Sequence, residues 1–135
     1  AELEMLGAHG SSSPLDALQP VAEAADIGDL IAAVRRVHIA DTLKDYVVSL
    51  VTATRISPEL RLGASPRASL HLLRASRARA ALDGREFVIP DDVQALAGPV
   101  LAHRLLPSAE ATVARRPPEQ VLAAIVDQVP LPPVR

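Results

Sequence analysis

Apolar side chains recur along this chain mostly with the three-and-four spacing of an amphipathic helix. The pattern predicts a helix capped by Asp26 and running to Arg36, with Ile27, Leu30, Ile31 and Val34 on one face. Val37-His38-Ile39 reads as a brief extended segment. Asp41 then caps a stronger helix to about Thr54, in which Leu43, Tyr46, Val47, Leu50 and Val51 follow the i, i+3, i+4, i+7, i+8 rule. Residues 56–64 read as a loop around Pro58. A fourth element opens at Ser65-Pro66, whose hydroxyl and fixed φ suit an N-cap and a first helical position, and is stopped after Leu82 by Gly84. Ala68, Leu72, Ala75, Ala78 and Leu82 form one stripe of this helix, while Leu70, Leu73 and Ala80 lie on other faces. An apolar circumference of that width predicts a central place in a bundle.

Phe87-Val88-Ile89 is a candidate strand that could pair with Val37-His38-Ile39. Pro90 opens a further helix with Asp91 and Asp92 in its first turn, where acids suit the helix dipole. Gly98-Pro99 is expected to break or kink it before Val100 to Leu105. Pro117-Pro118 starts a last helix carrying Val121, Leu122, Ile125, Val126 and Val129. At the other end, Glu2 to Leu6 reads as the tail of a helix stopped by Gly7, followed by loop through Gly10–Pro14 and an irregular connection from Leu15 to Pro20. The fold class is therefore all-α: a small bundle of five or six helices, with room for a minimal two-stranded β piece.

Composition sharpens this picture. Nearly half of the 135 residues are apolar, yet Tyr46 and Phe87 are the only aromatics, so the core must be aliphatic and rich in alanine. There is no cysteine, which excludes disulfides and thiolate chemistry. No apolar run approaches the roughly 18 residues of a membrane span. The start, Ala1-Glu2-Leu3-Glu4, lacks both an initiator Met and the order of a signal peptide, so a processed or truncated chain in the cytoplasm is expected. The net charge of −2 hides an asymmetry: −5 over residues 1–60 and +3 over 61–135. The basic excess is carried by Arg61, Arg67, Arg74, Arg77, Arg79 and Arg85, opposed in that segment by Asp83.

Few residues offer chemistry. Lys44 is the only lysine, so a G-x-x-x-x-G-K-[ST] phosphate loop is absent. His9, His38, His71 and His103 lie far apart without the spacing of a helical metal site. Asp91-Asp92 is explained by its place in a helix first turn, and Gly63-Ala64-Ser65-Pro66 lacks the closing glycine of a nucleophile elbow. Arg67 remains. It falls in the first turn of its helix, beside unpaired N–H groups and the positive dipole end, a place suited to phosphate. Arg74 lies two turns along the same face with His71 near it. The plain alternative is a surface arginine at a helix start.

The series Leu62-Gly63-Ala64-Ser65-Pro66-Arg67-Ala68-Ser69, then 81–93 (ALDGREFVIPDDV), then Val100-Leu101-Ala102-His103-Arg104-Leu105 resembles the C-terminal part of MoxR-type AAA+ ATPases. Asp45-Tyr46-Val47-Val48, Ala53-Thr54-Arg55 and the ending Asp127–Pro132 match as well. The resemblance implies a helical lid behind a nucleotide-binding core. Residues 1–25 would be the tail of that core and a linker, 26–107 the lid bundle, and 108–135 a C-terminal helix packed on the lid with a Pro-rich tail. It makes Arg67 the sensor 2 arginine that reaches the γ-phosphate of ATP, with Ser65 and Arg74 as supporting anion contacts. The phosphate loop, Mg-binding acids, sensor 1 and arginine finger have no counterpart here. The isolated chain is thus expected to be non-catalytic, with no catalytic or metal residues of its own, and ATP and Mg belong to a longer parent ATPase.

The partners so implied are the chain's own AAA+ core, neighbouring subunits of a ring homo-oligomer, and von Willebrand-type domain proteins, in a chaperone-type maturation machine. Neither a membrane nor nucleic acid is expected. Two other readings stay open on the residues alone. One is a standalone helical interaction module; the other is a nucleic-acid-binding bundle using the Arg61–Arg85 segment, against which acidity and scarce aromatics weigh.

Overall fold

A computed structural model describes residues 18–132. The helix end at Glu2–Leu6, the Gly7 stop, the Gly10–Pro14 loop and His9 lie outside the described residues. The described part contains six α-helices: α1 (Ala24–Arg36), α2 (Asp41–Ile56), α3 (Pro66–Leu82), α4 (Pro90–Leu101), α5 (Ala109–Val113) and α6 (Pro118–Gln128). Two short strands, β1 (Leu60–Leu62) and β2 (Leu106–Pro107), pair antiparallel, and a 3-10 turn, Ala102–Arg104, joins α4 to β2. The small helical bundle is as the periodicity predicts, but its two-stranded sheet is formed by 60–62 and 106–107 and not by the expected pair 37–39 and 87–89.

The chain divides into two units, Ala1–Ile31 and Ala32–Arg135. In the first, residues 18–23 carry no helix or strand, and the apolar positions Ile27, Leu30 and Ile31 of α1 are all exposed. Asp26 is not the N-cap expected of it. The helix begins two residues earlier, and the Asp26 carboxylate reaches back to accept the Glu23 N–H at 2.7 Å. A first-turn acid satisfies an otherwise unpaired donor in this way.

The second unit is organised around an aliphatic core. α2 contributes Leu43, Tyr46, Val47, Leu50 and Val51, the five positions its spacing selects. Val93, Ala97 and Leu101 of α4 and Val121, Leu122 and Ile125 of α6 complete most of the rest. α3 packs most extensively on α4, and the small side chains Ala68, Ala80 and Ala97 let the two backbones approach. The buried stripe of α3 is Ala68, Leu72, Ser76 and Ala80, whereas Leu82 is exposed. A serine occupies the stripe because its hydroxyl donates to the Leu72 carbonyl at 2.9 Å, which leaves no unpaired polar atom.

Several local details depart from expectation for identifiable reasons. Asp41 is the first helical residue of α2, after Ala40, and its carboxylate pairs with Lys44 at 2.7 Å instead of capping. The Gly98-Pro99 step does not end α4, which continues to Leu101. Gly98 has no Cβ to meet the proline ring, and buried Ala97 and Leu101 hold the last turn on the core. Residues 56–64 are not all loop, since Leu60–Leu62 finds its partner strand more than forty residues later. The extended segments at 37–39 and 87–89 do meet, through a parallel bridge of His38 with Phe87. There His38 N–H donates to Glu86 O at 2.8 Å and Val88 N–H to His38 O at 3.0 Å.

The C-terminus of α3 is closed by a two-bond Schellman motif. Arg85 N–H donates to Ala80 O at 2.8 Å and Gly84 N–H to Ala81 O at 3.0 Å, with Gly84 at φ +71°. That left-handed residue turns the chain toward α4, where Arg85 then serves a second purpose.

Candidate anion-docking site

The segment before α3 is held by the end of α2. Gly63 crosses the α2 backbone so closely that a Cβ there would lie 2.5 Å from Thr54 O. The next residue, Ala64, is buried and has both backbone groups paired: its N–H donates to Thr54 Oγ1 at 2.9 Å, and its carbonyl accepts from Arg55 Nε at 2.7 Å. Thr54 in turn donates to Val51 O at 2.7 Å. Thr54-Arg55 and Gly63-Ala64 therefore form one clamp, and the following residues leave it in a fixed direction.

Ser65 takes the N-cap position with extended backbone (φ −77°, ψ 162°), and Pro66 is the first helical residue. The position is as expected but the bond is not. Ser65 Oγ makes no cap hydrogen bond, and its backbone carbonyl accepts the Ala68 N–H at 2.9 Å. Ser65 is exposed, and its hydroxyl has no hydrogen-bond partner among the described residues. Arg67 follows in the first turn, exposed, with no hydrogen-bond or ion-pair partner among the described residues.

Arg67, His71 and Arg74 lie on one face of α3, because positions 0, 4 and 7 of a helix fall within about 60° of one another. Partial burial first, then the charges of Arg104, Arg67 and Arg74, hold the His71 imidazole below its ordinary value of 6.5. Arg104 thus joins the same field from the turn after α4. It was not singled out as an anion contact on the sequence, where nearly forty residues separate it from Arg67.

The basic segment Arg61–Arg85 does not form one patch. Arg77 Nε donates to Val37 O at 3.0 Å, and Arg79 lies 3.3 Å from the Asp92 carboxylate. Arg85 forks onto Asp92 with bonds of 2.8 and 2.7 Å and also donates to Asp83 at 3.0 Å and to Phe87 O at 3.1 Å. Asp92 is 1% exposed and accepts the Ile89 N–H at 3.0 Å. Its burial pushes the carboxyl pKa up, but the Arg85 fork, the Ile89 N–H and the Arg85 and Arg79 charges outweigh this, and the net direction is down. Asp92 is an ion-pair hub joining α3 to α4, while Asp91 is exposed. Neither serves as half of a paired-carboxylate site.

Among the described residues no group of three His, Cys, Asp or Glu could hold a metal ion. A groove of about 560 Å³ between α2 and α6, and one of about 290 Å³ between α4 and α6, contain no arginine or histidine. The anion-suited feature is instead an open face, formed by Arg67, Arg74 and Arg104 around His71, with exposed Ser65 two residues before Arg67 at the helix start. An open face of this kind needs a second surface to bring the anion to it.

An Ala-rich helical bundle presenting a clamped, exposed arginine at a helix start defines a lid-type domain. The family model of the AAA lid domain matches residues 52–125, and the chain belongs to that family. Its relatives include proteins named MoxR. The chain is 42% identical over 113 residues to "Chaperone MoxR1" of Mycobacterium tuberculosis, covering 77% of this chain and 29% of that protein. It is 37% identical over 131 residues to the uncharacterized protein YeaC of Bacillus subtilis, covering 97% of this chain and 41% of YeaC. A crystal structure from Cytophaga hutchinsonii, titled as a candidate ATPase, superimposes with a TM-score of 0.83 at 26% identity, covering 98% of this chain and 43% of that one. The chain thus spans well under half the length of these relatives.

Proposed function

We propose that this lid reports the nucleotide state of a MoxR-like ATPase of the chaperone type, with Arg67 as its sensor 2 arginine for the γ-phosphate of ATP. The observation that carries the reading is the exposed Arg67, without a hydrogen-bond or ion-pair partner among the described residues, at the first turn of α3 just after the Thr54–Ala64 clamp. A guanidinium is permanently charged and forks onto phosphate oxygens, and a hydrogen bond to a charged group contributes about 1.5–3 kcal/mol. Ser65 and Arg74 fit supporting contacts: one has a hydroxyl without a partner among the described residues, and the other stands two turns along the same face. The Mg ion and the cradle for the phosphates are assigned to the AAA+ core, since the described residues offer no carboxylate cluster.

The clamp gives the reading its mechanical content. The backbone that carries Arg67 is tied to α2 through Gly63-Ala64, so a pull on the guanidinium, once its side chain is extended, acts on the bundle through that mount. ATP favours the closed lid, and loss of the γ-phosphate removes the differential contact that closure depends on. The lid would pass that movement to its own core and to neighbouring subunits of a ring in the cytoplasm, with von Willebrand-type proteins among the partners of the machine. The test is ATP turnover by the full-length ATPase carrying Arg67→Ala. A fall of roughly 10- to 1000-fold is expected from arginine effects in phosphoryl transfer, and unchanged turnover overturns the assignment.

A further inference from the structure

Arg104 has no place in the sensor assignment, yet the fold brings it to the same face. β1 ends at Leu62, five residues before Arg67, and β2 begins at Leu106, two residues after Arg104. Leu62 and Leu106 are partners in the antiparallel register. The sheet is too small to serve as a layer of the core, and its evident consequence is to tie the approach to α3 to the exit from α4. Leu101, Ala102 and Leu105 are buried on either side of Arg104, which fixes the turn that carries it. Arg104 Nε donates to Val100 O at 3.1 Å, and its two terminal nitrogens make no hydrogen bond or ion pair among the described residues. Its charge, with those of Arg67 and Arg74, acts on His71 of α3 and helps to lower the imidazole pKa.

We propose that Arg104 is a second docking arginine for the phosphate that Arg67 senses, so that the lid grips one anion from α3 and from the α4–β2 turn together. This rests on the sensor reading of Arg67 and adds a contact from a different element. Two arginines from separate elements fix an anion's position as one cannot, because the phosphate must satisfy both at once. His71, whose pKa is lowered by burial and the neighbouring arginines, gains no positive charge from these surroundings and can donate or accept a hydrogen bond.

The experiment measures binding of ATPγS and of ADP by calorimetry to the full-length ATPase carrying Arg67→Ala, Arg104→Ala, Arg104→Lys or both alanine substitutions. The expected result for Arg104→Ala is a loss of about tenfold or more in ATPγS affinity with ADP affinity within twofold, the size of one charged hydrogen bond. Arg104→Lys should regain part of the loss, and the double variant should lose less than the product of the singles, since both residues hold one group. If Arg67→Ala weakens ATPγS and Arg104→Ala does not, the second arginine is overturned and the sensor stands. If Arg67→Ala leaves ATPγS affinity unchanged, the sensor reading itself fails, and the shared site with it. Equal losses for ATPγS and ADP on Arg104→Ala overturn a γ-phosphate contact. Arg104 is exposed, and an unchanged melting temperature in each variant confirms that the fold is retained.

Discussion

Thr54 Oγ1 accepts the Ala64 N–H at 2.9 Å, joining the last turn of α2 to the residue just ahead of the α3 N-cap. Both residues are buried, so this bond cannot be replaced by water. It converts a helix end and a loop into a fixed mount for Arg67.

Thr54→Val keeps the shape of the side chain and removes the acceptor. A buried N–H left unpaired costs about 1–3 kcal/mol, and the chain should lose that much stability in urea unfolding with an unchanged slope. Thr54→Ser should retain most of it. An unfolding midpoint for Thr54→Val equal to that of the unaltered chain would show that the clamp does not stabilise the fold.

Gly63→Ala attacks the same mount from its other side. The added methyl would lie 2.5 Å from Thr54 O and 2.6 Å from Thr54 C, and both are backbone atoms that cannot swing aside. The expected cost is about 1–3 kcal/mol, as for other forced overpacking. Because the strain falls beside Ala64, the full-length ATPase should also lose ATP turnover although position 63 carries no functional group. Wild-type stability together with wild-type turnover would count against the mount.

Legibility of these features in the sequence followed the range of the interactions. The α2 face from Leu43 to Val51 could be read because helical periodicity is local and strong. The meeting of His38 with Phe87 could be anticipated from two short β-rich runs. β1 and β2 could not, because strands of three and two residues, one containing Pro107, carry no alternating pattern. Arg104 was hidden for a similar reason, since the β1–β2 pairing and the packing of α3 on α4, which no spacing reveals, tie its turn to the approach to α3. Ser65 was placed correctly, but whether its hydroxyl bonds inward depends on a rotamer that the motif does not fix. The Arg61–Arg85 segment read as one basic patch because Asp92, which engages Arg79 and Arg85, also looked like an ordinary first-turn acid. The role of Thr54 depends on a contact ten residues away, and no spacing rule reveals it.

Asp92→Asn tests the hub. The substitution keeps an acceptor for the Ile89 N–H but removes the charge that Arg85 and Arg79 face. Breaking a buried pair costs about 3–5 kcal/mol, and the partial exposure of both arginines places the expected loss at the lower end of that range. The Asp92 carboxyl pKa is depressed in the fold, so its contribution is complete above the ordinary value of 3.8 and is lost as pH falls through the lower folded value. Acid unfolding of the unaltered chain should therefore steepen below that value. Asp92→Asn should lack this component, and identical acid profiles would refute the assignment.

The isolated 135-residue chain should bind MgATP only weakly, with a Kd no tighter than about 1 mM. A dissociation constant of that size corresponds to about −4 kcal/mol, which two charged hydrogen bonds can supply before the entropy of holding the ligand is deducted. What binding there is should fall as salt is raised, because the face is exposed and screened. Calorimetry giving a submicromolar Kd would mean that the chain holds a complete nucleotide pocket and is not half of one.

Arg67→Ala separates docking from folding. Arg67 is exposed and makes no hydrogen bond or ion pair among the described residues, so its removal should change the stability of the chain by no more than about 0.5 kcal/mol. Thr54→Val, whose hydroxyl holds Ala64 three residues before Arg67, should destabilise clearly. The full-length ATPase should show the reverse ranking in nucleotide discrimination: Arg67→Ala loses preference for ATPγS over ADP, while Thr54→Val, assayed well below its melting temperature, keeps more of it. A large loss of stability on Arg67→Ala would mean that the guanidinium is part of the fold, and its place at the start of α3 would then need no phosphate to explain it.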